Sequence, residues 1–103
     1  MPHSPILITS SGDLLSTTIE QFRVRADTLL ESGLASTEKP VEIDLRLANM
    51  VDSVGLNAIV AIIRKAKAVS RSVRIAVSNQ HLYRVLVFTR LDRQAEIVLT
   101  EKL

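Results

Sequence analysis

The chain has 103 residues, 47% of them hydrophobic and 23% charged. That balance excludes a disordered segment and allows one modest hydrophobic core. A formal net charge of +2, with one Tyr, two Phe and no Trp, argues against nucleic-acid binding by either charge or base stacking.

Met1 to Ile8 lacks the charged flank and long apolar core of a signal peptide. Ile6 to Thr9 reads as a short strand, closed by the turn composition Ser10-Ser11-Gly12-Asp13. A helix is expected from about Thr17 to Ser32, with Thr17 and Glu20 as a capping box and Gly33 as a left-handed C-terminal cap. Ile19, Phe22, Ala26, Leu29 and Leu30 make its buried stripe, while Glu20, Arg23, Asp27 and Glu31 face water. Ser36 to Pro40 is a surface loop.

The next stretch organises the chain. Val41, Ile43 and Leu45 alternate with Glu42 and Asp44, the period of a half-buried strand. After a short turn, Leu56, Ile59, Val60 and Ile63 recur at helical spacing in a run without Pro. Asp52 or Ser53 therefore stands at a helix N-cap, and Gly55 allows close backbone passage in the first turn. Capping is the plain reading of both residues. The sharper one is a modified Ser53, because a helix N-terminus tolerates a phosphate.

Ser70-Arg71-Ser72 is a turn, and Val73 to Val77 is a second alternating strand. A third helix spans roughly Gln80 to Arg90, with Leu82, Val85, Leu86 and Thr89 on one side. Glu96 to Thr100 forms a last strand at the sheet edge, where the region near Ile97 could pair with a neighbour. Strands alternating with helices predict right-handed crossovers: an α/β single domain over residues 1–103, with a mixed, largely parallel sheet of four to five strands and helices mainly on one face.

Little of the chemistry suggests an enzyme. Cysteine is absent, which removes disulfides, thiolates and cysteine-ligated zinc. His3 and His81 are far apart in sequence and form no metal-binding spacing, so no metal and no cofactor is expected. Val51-Asp52-Ser53-Val54-Gly55 joins a strand to a helix as a nucleophile elbow does, but the glycine of its first position is replaced and the partners of a triad are missing. The longest apolar run, Ala58 to Ile63, is too short to span a bilayer, and a cytoplasmic location is expected.

Asp52-Ser53-Val54-Gly55-Leu56 resembles the Asp-Ser-(Ser/Thr)-Gly-Leu segment of STAS domains of the anti-sigma factor antagonist type. Ile6 to Thr9 with Gly12-Asp13-Leu14 resembles that family's strand ending in Gly-Glu-(Leu/Ile)-Asp, and the similarity continues through Ser78 to Leu86. The resemblance implies a STAS-like fold with the family's N-terminal strand and C-terminal helix shortened or absent. It implies that Ser53 is a phosphoacceptor switching a non-enzymatic interaction. It further implies docking through Asp13, Asp52, Val54, Gly55, Leu56 and Asn57. The implied partners are an anti-sigma factor that is also a serine kinase, and a PP2C-type phosphatase. Two departures, Leu15 for the second carboxylate and Val54 for the second hydroxyl, bear on kinase recognition. They keep open an unswitched adaptor role in a lipid transporter or signalling complex.

Overall fold

A computed structural model describes residues 5–36 and 39–101, without the side chains of residues 34–36. Its elements follow in the order β1 (Ile6–Thr9), α1 (Ile19–Ser36), β2 (Val41–Leu45), α2 (Ser53–Ala68), β3 (Val73–Val77), α3 (Gln80–Phe88), a 3-10 turn (Leu91–Arg93) and β4 (Glu96–Leu99). The strands lie in the order β1-β2-β3-β4, every neighbouring pair parallel. The sheet thus has four strands and, among the described residues, no antiparallel member. Because each crossover steps one strand in the same direction, the right-handed rule places the three helices on one face.

Register explains the core. Ile8, Ile43, Ile75 and Ile97 form one row across the four strands, flanked by Ile6, Val41 and Val73 on one side and Leu45, Val77 and Leu99 on the other. Helix α1 covers this surface with Ile19, Phe22, Ala26 and Leu30, α2 with Ile59, Ile62, Ile63 and Ala66, and α3 with Leu82 and Leu86. The opposite face carries a crosswise charge row, with Arg74 Nε 3.8 Å from Glu42 and 3.6 Å from Glu96. Asp44 and Ala76 on that face are nonetheless buried. Asp44 is sealed by Arg46, which donates from Nε to Oδ1 at 3.0 Å and from Nη2 to Oδ2 at 2.8 Å.

Three helix ends differ from expectation. Helix α1 begins at Ile19, two residues after Thr17, and runs past Gly33 to Ser36. The hydroxyl that works at its start is that of Thr18, which accepts from the Leu15 amide at 3.0 Å and donates to the Asp13 carbonyl at 2.8 Å. Gly33 has no positive φ and is no left-handed cap. It lies against the edge strand instead, where a β-carbon would come within 2.6 Å of Ile6 Cδ1. Helix α3 stops at Phe88, since Arg90 adopts a left-handed conformation with φ 65° and turns the chain into the 3-10 turn. Thr89 is accordingly an exposed cap. The expectations for Pro2 to Ser4, for Thr37 and Glu38 in the loop, and for the chain beyond Glu101 lie outside the described residues.

Candidate functional site

Two loops at the C-terminal ends of β1 and β2 build the site. Residues 10–18 lead into α1, and residues 46–52 lead into α2. They are joined by a short continuation of the sheet, a parallel bridge between Leu14 and Val51. The Leu14 amide donates to the Met50 carbonyl at 3.0 Å, and the Asp52 amide donates to the Leu14 carbonyl at 3.1 Å.

Two carboxylates complete the seam. Asp13 Oδ1 accepts from the amides of Asn49 at 2.7 Å and Met50 at 3.1 Å. Asp52 decides between the two capping options: in extended conformation, it is the N-cap of α2 and accepts from the Gly55 amide at 2.9 Å. Its other oxygen accepts from the Ser16 amide at 2.7 Å. One side chain thus caps a helix and holds a loop 36 residues away. The Gly55 bond, then that from Ser16, holds the Asp52 carboxyl below the ordinary carboxylate range.

Gly55 is buried under Leu14, whose carbonyl carbon and Cβ would lie 2.9 Å from a β-carbon at that position. Glycine here lets α2 start against the β1–α1 loop, and the residue presents no surface of its own. Ser53, the first residue of α2, is exposed, as is Asn57, while Val54 and Leu56 are half-buried. Asp13, Asp52 and Ser53 therefore belong to one continuous seam, with Asn57 a turn further along α2. Asp52, the carboxylate beside Ser53, spends its two oxygens on the Ser16 and Gly55 amides.

Some of the site leaves only a faint local signal in sequence. Leu47 and Met50 are apolar yet 39% and 60% exposed on the loop that leads into Ser53. Beside them is a recess of about 90 Å³ lined by Asn49, Met50, Val51, His81, Leu82 and Val85. Asn79 caps α3 by accepting from the Leu82 amide at 3.0 Å and donates to Asn49 Oδ1 at 3.2 Å, tying α3 to the loop. The signal available was two apolar residues in a turn that had no strand or helix face to serve.

A family model described as "Mlab, STAS domain" matches residues 2–101. The chain belongs to this STAS family. The solved structure of a protein from Thermotoga maritima, provisionally described as an anti-sigma factor antagonist, superposes on this STAS chain with a TM-score of 0.77. At 22% identity, and covering 94% of this chain and 82% of that one, it shows a shared fold. No curated protein matches the chain. No helix among the described residues of this STAS protein is long and apolar enough to cross a membrane.

Proposed function

We propose that this STAS protein is an anti-sigma factor antagonist that docks through the surface around Ser53 and is released when Ser53 is phosphorylated. The observation carrying this reading is the position of an exposed serine directly after a carboxylate that already occupies the Gly55 amide in the first turn of α2. Asp52 takes the Gly55 and Ser16 amides, so a phosphate on Ser53 gains the helix dipole but not those hydrogen bonds. It adds about −1.5 to −2 charges beside Asp52. A partner seated over Met50, Ser53 and Asn57 would then meet an uncompensated, desolvated charge, and binding falls without refolding of the domain. The partner is an anti-sigma factor acting also as serine kinase, with a PP2C-type phosphatase restoring the bound form. The shared fold with the Thermotoga maritima protein supports this class of partner.

The test is incubation with cognate anti-sigma kinases and ATP, followed by intact mass measurement. A single phosphate-sized increase, lost in Ser53→Ala, is expected. Ser53→Asp should weaken binding to the anti-sigma factor at least about ten-fold while leaving the thermal midpoint within about a degree, because Ser53 is exposed. Equal binding by Ser53→Asp and wild type would reject the switch. It would favour an unswitched adaptor subunit, one in which Ser53 has no capping role because Asp52 caps α2.

A further inference from the structure

Two consecutive residues just past the C-terminal end of α2 cost the fold stability where they stand. Ser70 follows the C-cap Val69 and is left-handed, with φ 60°, a conformation that favours glycine. Arg71 comes next. Its Nε donates to the Val69 carbonyl at 3.3 Å, but Nη1 is buried and has no hydrogen-bond partner. Among the described residues no carboxylate pairs with this guanidinium. A desolvated corner of a cation without acceptor or counter-charge is unfavourable. Departures of this kind from local rules collect at functional sites, where another gain offsets them.

Both residues line one open recess, together with Lys67, Ser72, Gln94 and Glu96. Lys67, Ser70, Ser72 and Gln94 are exposed there. Two cations, two hydroxyls and a side-chain amide thus border the same space. The negative groups beside them are already engaged. Arg74 Nε lies 3.6 Å from Glu96. At the helix end the Ala66 carbonyl accepts from the amides of Val69 at 3.2 Å and Arg71 at 2.8 Å, and the Lys67 carbonyl from that of Ser70 at 3.0 Å. A guanidinium fork with a lysine beside it suits a tetrahedral dianion better than a single carboxylate. We propose that this recess binds a phosphate monoester group, with Arg71 and Lys67 supplying the charge and Ser70, Ser72 and Gln94 the neutral hydrogen bonds. The anion then gives the guanidinium the counter-charge that the fold withholds. Helix α2 has 16 residues, so the recess stands about 24 Å from Ser53, apart from the docking surface around it.

An amide NMR titration with inorganic phosphate tests this, with ionic strength held constant by chloride. Saturable shifts should appear at Lys67, Ser70 to Val73 and Gln94 to Glu96, with a Kd of about 1 mM or below. Arg71→Met keeps the apolar stem and removes the fork, and Lys67→Met changes an exposed position. Each should weaken phosphate at least about ten-fold. Phosphate should raise the thermal midpoint of the wild-type chain and leave that of Arg71→Met unmoved. Ser70→Gly should weaken phosphate while keeping the midpoint unchanged or higher, the opposite of what a purely structural serine would do. Vesicles of phosphatidic acid, set against phosphatidylcholine, separate the two sources of such a group. Co-sedimentation lost in Arg71→Met assigns a lipid headgroup, and phosphate binding without co-sedimentation assigns a soluble ligand. Shifts that chloride reproduces, or that fall elsewhere on the chain, overturn the proposal. So does a phosphate affinity unchanged in Arg71→Met or in Lys67→Met.

Discussion

Gly55 and Gly12 are both in the neighbourhood of the seam, and their surroundings are opposite. A β-carbon at Gly55 meets backbone, the Leu14 carbonyl group, which cannot step aside without opening the Leu14–Val51 bridge. A β-carbon at Gly12 meets nothing within 4 Å, and neither glycine has a positive φ. Gly55→Ala should therefore destabilise the fold by about 2 kcal/mol, the usual scale of overpacking. Gly12→Ala should stay within about 0.5 kcal/mol of wild type. Urea denaturation of the two variants checks the contrast, and equal midpoints would mean the loops separate more easily than their hydrogen bonds suggest. The need for glycine in the first turn of α2 was legible from position alone. Its cause was not, because Leu14 approaches from 41 residues earlier and leaves no mark in the local pattern.

Helix α1 illustrates how an element can be legible in its middle and misread at its ends. Its apolar stripe of Ile19, Phe22, Ala26 and Leu30 follows helical periodicity and is buried as that periodicity implies. The strands were legible for the same reason: β2 and β3 alternate, and their spacing by helices implies the parallel crossovers. The ends of α1 are set by contacts across the fold. Thr18 spends its hydroxyl on the Asp13 turn, and Gly33 continues the helix while making room for Ile6. The ties from Asp13 to Asn49 and from Asp52 to Ser16 span 36 residues each, beyond any local motif. For Gly33 this makes a measurable case. In a free helix Gly→Ala stabilises by up to about 1 kcal/mol. Here the new methyl would meet Ile6 Cδ1 at 2.6 Å and Cγ1 at 2.8 Å, and the expected sign reverses to a loss of about 1 kcal/mol. Ile6→Val removes Cδ1, the nearer atom. The double variant Gly33→Ala, Ile6→Val should be more stable than the sum of the singles by about 0.5 kcal/mol or more. Strict additivity in a double-mutant cycle would place the cost of Gly33→Ala elsewhere.

At the scale of the whole molecule, carboxylates hold one end of the sheet together. Asp44 lies at the end of β2, 4% exposed, and accepts from the Arg46 amide and guanidinium. The Ser78 hydroxyl donates to the Arg46 carbonyl at 2.6 Å, fastening the exit of β3 to the same loop. Asp13 and Asp52 fasten the exit of β1. The Arg46 side-chain bond, working against burial, holds the Asp44 carboxyl below the ordinary carboxylate range, and the Gly55 amide does the same for Asp52. Both groups therefore bind protons less readily folded than unfolded. Their stabilisation is fully present above the unfolded value of about 4 and is lost as pH falls through the lower folded values. The thermal midpoint should accordingly hold steady from about pH 7 to 5 and decline below about pH 4. Asp44→Asn with Asp52→Asn should begin from a lower plateau and fall less steeply in acid. The loss should also start at one end: in acid, amides of residues 10–18 and 46–52 should lose hydrogen-exchange protection before those within β2 and β3, whose ladders contain no titrating bond. Since Ser53 stands at that same end, acid below about pH 4 should loosen the surface around it while the sheet persists. An acid limb of unchanged slope in the double variant, or simultaneous loss of protection in strands and loops, would show that these two carboxylates do not govern it.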